Sequence, residues 1–431
     1  MHSADRREEV AALEQHAMAA ARRGSAQEAV DAWARVVSIQ PGHVVGLTHL
    51  GLAAYSQGDF QSAQLAFQRV VASDGRSAQQ WINLALACKQ GADEQGEEAA
   101  LFKALSIDPY DFMALLLRGN MLERQGKNSQ AASSYGAAAS LAPPAERLNA
   151  DLRSALNHAT SYLDRHNRAL ALFLDEQLEP HARACGAVAL DRFKLSVDML
   201  VGRKRRFDPQ PMRYFIPQLP VIEFFDRSTL PWLDAVEAEW EPIRDEFLAV
   251  LRADEGFTPY ISYGADQPVA QWAELNHSPR WSAFHLVKEG HRVADNAARC
   301  PVTMAVWEQT PWPDQPGRTP VLMYSLLKPR TRIPPHVGAS NCRLVTHLPL
   351  LVPPDCGFRV GNQTRQWCPG KAWVFDDTIE HEAWNQSDQL RVILIFDTWH
   401  PLLEEPERRM ITALNSALNS FSSGSAADYD V

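Results

Sequence analysis

The sequence of 431 residues lacks the features that mark membrane, secreted and disulfide-rich proteins. No segment approaches the ~18 consecutive apolar residues that a membrane-spanning helix needs. The first twenty residues are interrupted by charged side chains and have no apolar core followed by a cleavage site, unlike a signal peptide. The six cysteines show no CxxC spacing, which argues against a zinc knuckle or a disulfide framework and favours a reducing compartment. We therefore expect a cytoplasmic protein.

Positive charge is also scarce. Lysine and arginine total 42 against 52 acidic residues, so the net charge is −10. A chain this acidic lacks a general attraction for phosphate backbones, and we expect no nucleic-acid partner. The dense basic run at residues 203–206 is interpreted as a solvated connector. No GxSxG, GxxxxGK[ST] or GxGxxG motif occurs where its chemistry would need one, so hydrolase and nucleotide-dependent functions have no motif support.

The first 145 residues repeat with a period of 34. Large apolar residues recur at Trp33, Phe67, Leu101 and Tyr135. Small residues recur at Ala17, Gly51, Ala85 and Gly119, and again at Gly24, Gly58, Ala92 and Gly126. Such columns predict stacked helix pairs in which the second small residue forms the turn within each pair. Over residues 10–145 the pattern resembles the tetratricopeptide repeat, with Ala92 and Glu97 departing from it in the third row.

This resemblance implies an α-solenoid whose concave surface binds a peptide or a partner protein, with a scaffold or dimer interface as the alternative. Residues 146–205 have apolar positions three to four apart, which predicts further helices that bridge or cap the repeats. Four prolines between residues 207 and 220 mark a change of composition. We therefore expect a domain boundary near residue 205.

The C-terminal half contains short β-branched runs separated by glycine and proline, a pattern typical of a β-sandwich or barrel. The runs are residues 319–329, 342–353, 357–367, 371–377 and 390–401. A helical segment at 230–253 is expected to pack outside the sheet. The serine-rich residues 415–431 are expected to be a disordered tail.

Polar side chains of this half are predicted to share one face of a strand. Side chains alternate along a strand, so Arg343, Val345 and His347 point the same way. His336 precedes this strand, and His381 follows the run that ends in FDD, ten residues before an arginine that opens the last run. Two histidines followed by an arginine suggest a metal beside an anion.

The segments PPHVGASNCRLVTHLPL, KAWVFDDTIEHEAWN and LRVILIFDTWHP resemble the aspartyl/asparaginyl β-hydroxylase family of iron(II)- and 2-oxoglutarate-dependent dioxygenases. The resemblance covers about residues 210–405. It implies a double-stranded β-helix, or jelly-roll, oxygenase domain with flanking helices at residues 206–410. The expected fold is therefore an α+β two-domain protein, an N-terminal α-solenoid followed by this oxygenase domain.

The resemblance also implies the site residues. His336 and His381 match the two histidines that hold the iron. Gly338 stands where most enzymes of this chemistry place a carboxylate, a gap that this family shares and that water is thought to fill. Arg391 matches the arginine that pairs with the distal carboxylate of 2-oxoglutarate.

Other matched positions concern the co-substrate and the substrate. Ser325 and His347 match residues that contact 2-oxoglutarate, and Arg343 matches an arginine of the substrate site. Val345 stands where animal members have a second arginine, so anchoring of one of the two ligands must differ here. Asp376 and Asp377 are adjacent and are interpreted as structural turn residues. Five tryptophans are interpreted as ordinary core or as residues that exclude water from the site: Trp281, Trp367, Trp373, Trp384 and Trp399.

The implied activity uses Fe(II), 2-oxoglutarate and O2 to hydroxylate the β-carbon of an Asp or Asn side chain in a peptide or protein, which the repeats help to bind. Two alternatives stay open. One is hydroxylation of a free amino acid, a lipid or another small molecule, which Val345 keeps in view. The other is a non-catalytic scaffold or sensor with an inactive barrel.

Overall fold

The structure is a computed structural model that describes residues 3–186, 190–253, 255–315 and 317–424. Contacts divide the chain into two compact units, Met1–Arg203 and Lys204–Val431. The division lies next to the boundary expected near residue 205. Within the described ranges, no helix combines the length and the apolar character needed to cross a membrane.

The N-terminal unit is helical, as predicted. Its helices are α1 (Ser3–Arg22), α2 (Ala26–Ile39), α3 (Val44–Ser56), α4 (Phe60–Ser73), α5 (Ala78–Gln90), α6 (Glu94–Ile107), α7 (Phe112–Arg124), α8 (Asn128–Ser140), α9 (Ala150–Ala184) and α10 (Asp191–Leu200). Helices α1 to α8 pack as four consecutive pairs, one pair for each row of the repeat. The predicted helix pairs are therefore confirmed.

The small residues of the repeat make the pairs possible. A Cβ on Gly51 would lie 2.7 Å from the ring of Phe67, so only glycine lets α3 approach α4 this closely. The irregular third row keeps the same turn, because Ala92 adopts a left-handed φ of 58° where the other rows have glycine. Glu97, which replaces a small residue, is buried and forms an ion pair of 2.5 Å with Arg124. The departures at Ala92 and Glu97 thus leave the helix pair intact.

The 35-residue helix α9 packs against α7 and α8. Ala159 belongs to the core cluster that also contains Phe67, Leu101 and Tyr135. The helices predicted for residues 146–205 are present, and α9 covers the last repeat through this shared core.

The C-terminal unit combines helices and strands. Its helices are α11 (Leu233–Ala238), α12 (Trp240–Ala253), α13 (Ala294–Ala298), α14 (Pro301–Trp307) and α15 (Glu405–Gly424). Its strands are β1 (Thr258–Pro259), β2 (Trp281–Lys288), β3 (His291–Arg292), β4 (Leu322–Leu327), β5 (Thr331–His336), β6 (Arg343–Leu351), β7 (Cys356–Val360), β8 (Gln363–Arg365), β9 (Trp373–Phe375), β10 (His381–Asn385) and β11 (Arg391–Trp399).

The strands form two antiparallel sheets. The large sheet has the order β1-β2-β4-β11-β6-β9 with β3 beside β2, and the small sheet has the order β5-β10-β7-β8. Helices α11, α12 and α14 cover one face of the large sheet, where Phe247 packs with Tyr324 and Leu394. The helical segment expected at 230–253 is thereby confirmed. Between the sheets lies a second core cluster that contains Trp281 and Phe358.

In the described residues, no strand of one sheet is hydrogen-bonded to a strand of the other. The observed arrangement is therefore a sandwich of two antiparallel sheets. Five strands have no counterpart among the predicted runs: β1, β2, β3, β5 and β10. Strand β5 contains Pro334 and Pro335, which a sheet tolerates because β5 is an edge strand. Neither β5, with its two prolines, nor β10, which is short and carries a charged residue, shows the alternation of apolar residues that predicts a strand.

The expected disordered tail is wrong for residues 415–424, because they continue helix α15. Ile411 and Asn415, one helical turn apart, are both buried on the same face of this helix. Residues 425–431 lie outside the described residues.

Candidate functional site

Two neighbouring strands of the small sheet, β5 and β10, bring the predicted histidines together. His336 ends β5, His381 begins β10, and the two residues are directly opposite in the antiparallel register. Their ring centroids are 4.0 Å apart. Both side chains line a cavity of about 940 Å³ in the C-terminal unit. The two histidines, which are 45 residues apart in the sequence, therefore form a pair in the fold.

Each ring of this pair has one nitrogen engaged and one available. Nδ1 of His336 lies 2.8 Å from the main-chain oxygen of Pro334, and Nδ1 of His381 lies 3.0 Å from that of Ile379. A carbonyl oxygen only accepts hydrogen bonds, so each Nδ1 carries the proton and each Nε2 keeps its lone pair. Burial away from water lowers the pKa of His336 to about 3 and the pKa of His381 to about 4. Both rings are neutral at neutral pH and can act as metal ligands.

The space beside the pair is occupied by a carboxylate from elsewhere in the chain. A Cβ on Gly338 would overlap the carboxylate of Asp377, which lies in the turn between β9 and β10. Asp377 lines the cavity, and its Oδ1 is buried without a hydrogen-bond partner. The interpretation of Asp377 as a turn residue alone is incomplete. The described residues nevertheless contain no group of three His, Cys, Asp or Glu side chains arranged to hold a metal.

Arg391 supplies an unpaired positive charge to the same cavity. Its side chain is 2% exposed, and Nε has no hydrogen-bond partner. None of the ion pairs in the described part of the chain includes it, and its guanidinium carbon lies 5.1 Å from the ring centre of Trp367. Burial lowers the pKa of Arg391 to about 10, so the group stays charged at neutral pH. A buried cation without an acid is a binding position for an anion.

Ser325 and His347 flank this arginine on the two strands next to β11. Ser325 on β4 is opposite Ile393 of β11, and His347 on β6 is opposite Ile395 of β11. Trp281 Nε1 donates a hydrogen bond of 3.2 Å to Ser325 Oγ. Burial and the nearby charge of Arg391 hold the pKa of His347 well below its ordinary value, and its Nδ1 has no partner. The structure brings these three predicted residues together at one wall of the cavity.

Arg343 lies in the cavity but its charge is already compensated. Nη1 lies 3.0 Å from Asp397 Oδ1, and Nη2 lies 2.9 Å from Asp377 Oδ2. As predicted, Val345 and His347 share its face of β6, and all three line the cavity. Burial by itself would lower the pKa of Arg343, but the negative charges around it, Asp377 and Asp397 foremost, outweigh burial and raise the pKa above its ordinary value. The prediction that Arg343 binds substrate overlooked this double ion pair.

Several cavity residues were not predicted at all. Tyr260 stacks on Trp281 with ring centroids 4.1 Å apart, and Trp272 packs edge-on against His336. Asn415 reaches the cavity from α15. Tyr260 and Trp272 lie outside the predicted strands, and Asn415 lay in the expected tail. The sequence signal for Tyr260 and Trp272 was the aromatic content of residues 257–281, and no comparable signal marked Asn415.

Comparison with known proteins bears on the C-terminal unit. Residues 237–401 match the model of the Aspartyl/Asparaginyl beta-hydroxylase family. The resemblance predicted from three sequence segments is thereby confirmed for this region. The chain is 36% identical to human "Aspartyl/asparaginyl beta-hydroxylase" over 183 residues, which cover 42% of this chain and 22% of the human protein. It is 34% identical to "Ornithine lipid ester-linked acyl 2-hydroxylase" from Rhizobium tropici over 193 residues, or 44% of this chain and 64% of that protein.

The matched region therefore spans about a fifth of the human relative and just under two thirds of the bacterial one. Among solved structures, the MamA protein shares 19% identity with a TM-score of 0.33, covering 42% of this chain and 97% of that chain. The Arabidopsis OM64 TPR domain shares 23% identity with a TM-score of 0.25, covering 28% of this chain and 95% of that chain.

Proposed function

We propose that the C-terminal unit is an Fe(II)- and 2-oxoglutarate-dependent dioxygenase that hydroxylates the β-carbon of an Asp or Asn side chain in a peptide or protein. The helical repeats would assist substrate binding. The observation that carries the proposal is a neutral histidine pair in the same cavity as Arg391, a buried arginine without an acidic partner. The two antiparallel sheets are the expected components of a double-stranded β-helix, which we retain as part of this proposal.

The residues present suit a weakly ligated iron. His336 and His381 would hold the metal through Nε2, because each Nδ1 donates to a main-chain carbonyl that fixes the ring. Asp377 lies where a side chain on Gly338 would be, and its unpartnered Oδ1 would accept a hydrogen bond from a water ligand if the metal carried one there. Fe(II) with 2-oxoglutarate would supply the oxidising chemistry by coupling O2 activation to decarboxylation of the co-substrate.

The chain itself would bind and orient the co-substrate. The planar guanidinium of Arg391 suits a bidentate contact with the distal carboxylate, and this contact would compensate a charge that is otherwise buried alone. Ser325 Oγ and His347 Nδ1 are polar atoms on the flanking strands and can complete the contact. Trp281, Phe358 and Phe375 line the cavity around these groups and exclude water.

The test needs no substrate. Metal-free protein is mixed without oxygen with Fe(II) and 2-oxoglutarate, and the visible metal-to-ligand absorption band is recorded. We expect the band in the parent and its loss in His336→Ala, His381→Ala and Arg391→Ala. His277→Ala and Arg330→Ala are matched controls, because neither residue lines the cavity. Absence of the band from a folded parent at saturating ligand would refute the proposal and favour the non-catalytic scaffold.

Two observations favour a second candidate, a hydroxylase of a lipid or other small molecule. The R. tropici relative is named for an acyl chain, and Val345 gives the cavity an apolar wall. The two candidates differ in their need for the repeats. Hydroxylation of a peptide that is lost when residues 1–203 are removed supports the first candidate, whereas small-molecule hydroxylation that survives removal supports the second.

A further inference from the structure

Two arginines that line the cavity have an enclosed nitrogen without a hydrogen-bond partner. In the described residues, three arginines have a buried and unpartnered Nε: Arg318, Arg391 and Arg408. Arg318 and Arg391 line the cavity, whereas Arg408 does not. The proposed function uses Arg391 for the distal carboxylate of 2-oxoglutarate, and it leaves Arg318 without a role.

The end of the Arg318 guanidinium is the accessible part of this side chain. The residue as a whole is half-buried although its Nε is enclosed, so the remaining exposure includes the terminal nitrogens. Nη1 and Nη2 take part in no hydrogen bond or ion pair within the described ranges. A partly desolvated guanidinium that lacks an acid is suited to bind a carboxylate through two parallel hydrogen bonds.

Arg318 lies towards the end of the cavity that is remote from Arg391. Arg391 and Asp397 both line the cavity and are six residues apart on β11, roughly 20 Å along the strand. The main-chain N–H of Val321 donates a hydrogen bond of 2.9 Å to Asp397 Oδ2. Arg318 is three residues before Val321, so the two Cα atoms are at most about 11 Å apart. A five-carbon diacid held at Arg391 is much shorter than the cavity and leaves Arg318 for a second ligand.

The polypeptide on the other side of Arg318 is fixed at the same end. The main-chain oxygen of Gln315 accepts a hydrogen bond of 3.1 Å from the N–H of Arg318. Nε2 of Gln315 lies 3.6 Å from Cys342 Sγ, and its Oε1 accepts a hydrogen bond of 2.9 Å from Asn415. Cys342 directly precedes Arg343 on β6. Contacts on both sides therefore hold Arg318 near the Arg343 end of the cavity, which reduces the entropy that ligand binding costs.

The histidine pair lies towards this end as well. The rings of His381 and Phe375 pack with centroids 5.4 Å apart. Phe375 is opposite Val345 in the sheet, and Val345 is in turn opposite Asp397. A group bound at Arg318 would therefore be at the same end of the cavity as the histidines.

No acidic residue of the cavity is free to neutralise Arg318. Four acidic residues line the described part of the cavity: Glu289, Asp377, Glu380 and Asp397. Each already lies within 4.0 Å of a basic group, from Lys288, Arg343, Arg205 or Arg359. Arg213 also lines the cavity, but its side chain is exposed, so water screens its charge.

We propose that Arg318 binds the substrate through its carboxylate, the side chain of an aspartate in a peptide, and thereby sets a preference for Asp over Asn. This inference deepens the proposed function and rests on it. It assigns the two unpaired arginines to two anions, Arg391 to the co-substrate and Arg318 to the substrate. Arg343, which the resemblance assigned to the substrate, is occupied by Asp377 and Asp397.

The test measures binding without turnover. The full chain is loaded with Fe(II) and 2-oxoglutarate in the absence of oxygen and titrated calorimetrically with paired peptides. The peptides have blocked termini and neutral flanking residues, and the members of a pair differ only in an Asp or Asn at the centre. We expect the Asp member to bind at least about tenfold more tightly, because one charge-assisted contact is lost with Asn.

Variants of Arg318 test the cause. Arg318→Met should weaken the Asp peptides by about the same factor and leave the Asn peptides unchanged, whereas Arg318→Lys should retain part of the preference. A purely structural role would instead weaken both members equally and would contradict the inference. Arg408→Met is the matched control, because it replaces another half-buried arginine with an unpartnered Nε that lies outside the cavity. Arg318→Gln replaces the methionine variant if that protein does not fold.

The metal-to-ligand band separates this inference from the proposed function. Folded Arg318→Met should keep the band, because the histidine pair and Arg391 are intact. Three results in a parent that shows the band would overturn the inference alone: equal affinity for Asp and Asn peptides, binding of neither, or a preference that persists in Arg318→Met. Absence of the band from the parent would refute the proposed function instead.

Discussion

Replacing Arg391 by methionine should stabilise the ligand-free protein while it abolishes co-substrate binding. The side chain is buried, charged and without an acidic partner in the described residues. Burial lowers its pKa to about 10. At about 1.4 kcal/mol for each factor of ten, the difference from the ordinary arginine value corresponds to roughly 3 kcal/mol against the charged form.

Methionine removes this penalty and keeps most of the apolar packing against Trp367. Imperfect filling of the site offsets part of the gain, so we expect a net stabilisation of about 2 kcal/mol. For a unit of this size that corresponds to a rise in Tm of roughly 4–8 °C. Differential scanning calorimetry of the full chain would measure it in the transition of the C-terminal unit.

The same experiment with 2-oxoglutarate and a divalent metal supplies the functional half of the test. A ligand at one hundred times its Kd should stabilise the parent by about 2.7 kcal/mol and the variant not at all. Arg343→Met is the contrasting variant. It leaves Asp377 and Asp397 buried without their cation and should cost about 3–5 kcal/mol. A destabilised Arg391→Met protein that still gains stability from 2-oxoglutarate would refute the reasoning.

Three further predictions concern single positions. Gly338→Ala should destabilise the C-terminal unit by about 1–3 kcal/mol, because the new Cβ overlaps Asp377; an unchanged Tm would contradict this. Burial raises the pKa of Asp376 to about 6, so the folded state holds the proton more tightly than the unfolded state does. The free energy of unfolding of the parent should therefore fall by about 2–3 kcal/mol as the pH rises from 4 to 6. Asp376→Asn should remove this loss in urea unfolding measured across that range, and a parallel pH profile for both proteins would count against it. Ala92→Gly should stabilise the N-terminal unit by about 1 kcal/mol by relieving a left-handed alanine, while Gly126→Ala should do the reverse; chemical denaturation of both variants measures the two signs.

The sequence alone determined the helix pairs of the N-terminal unit. A period of 34 places the same small and large residues in every pair, and their packing depends on neighbours only tens of residues away. Contacts within a pair are local, so Gly51 and Phe67 could be assigned to adjoining helices from spacing. Ala92 and Glu97 depart from the repeat pattern in the sequence. The left-handed backbone of Ala92 and the ion pair of Glu97 with Arg124, which preserve the helix pair, cannot be predicted from composition.

In the C-terminal unit the sequence determined which residues gather at the cavity but not what they contact there. The proximity of His336, His381 and Arg391 was inferred from motif order and is present in the fold. The ion pairs of Arg343 were not foreseeable, because they join this residue to Asp377 in a turn and to Asp397 on β11, which are 34 and 54 positions away and are brought near it only by the packing and register of the sheet.

Only the tertiary structure decided which charged and polar side chains from distant segments meet in the cavity. Asp377 reaches it from a turn and Asn415 from a helix in a segment whose serine content predicted disorder. Neither side chain carries a local pattern that marks it as part of a site. Strands β5 and β10 were equally hidden, since edge prolines and charged residues break the alternation that marks a strand while antiparallel pairing still stabilises it. Periodicity reports which face of an element is buried, whereas the compensation of one buried charge by another depends on which distant elements meet.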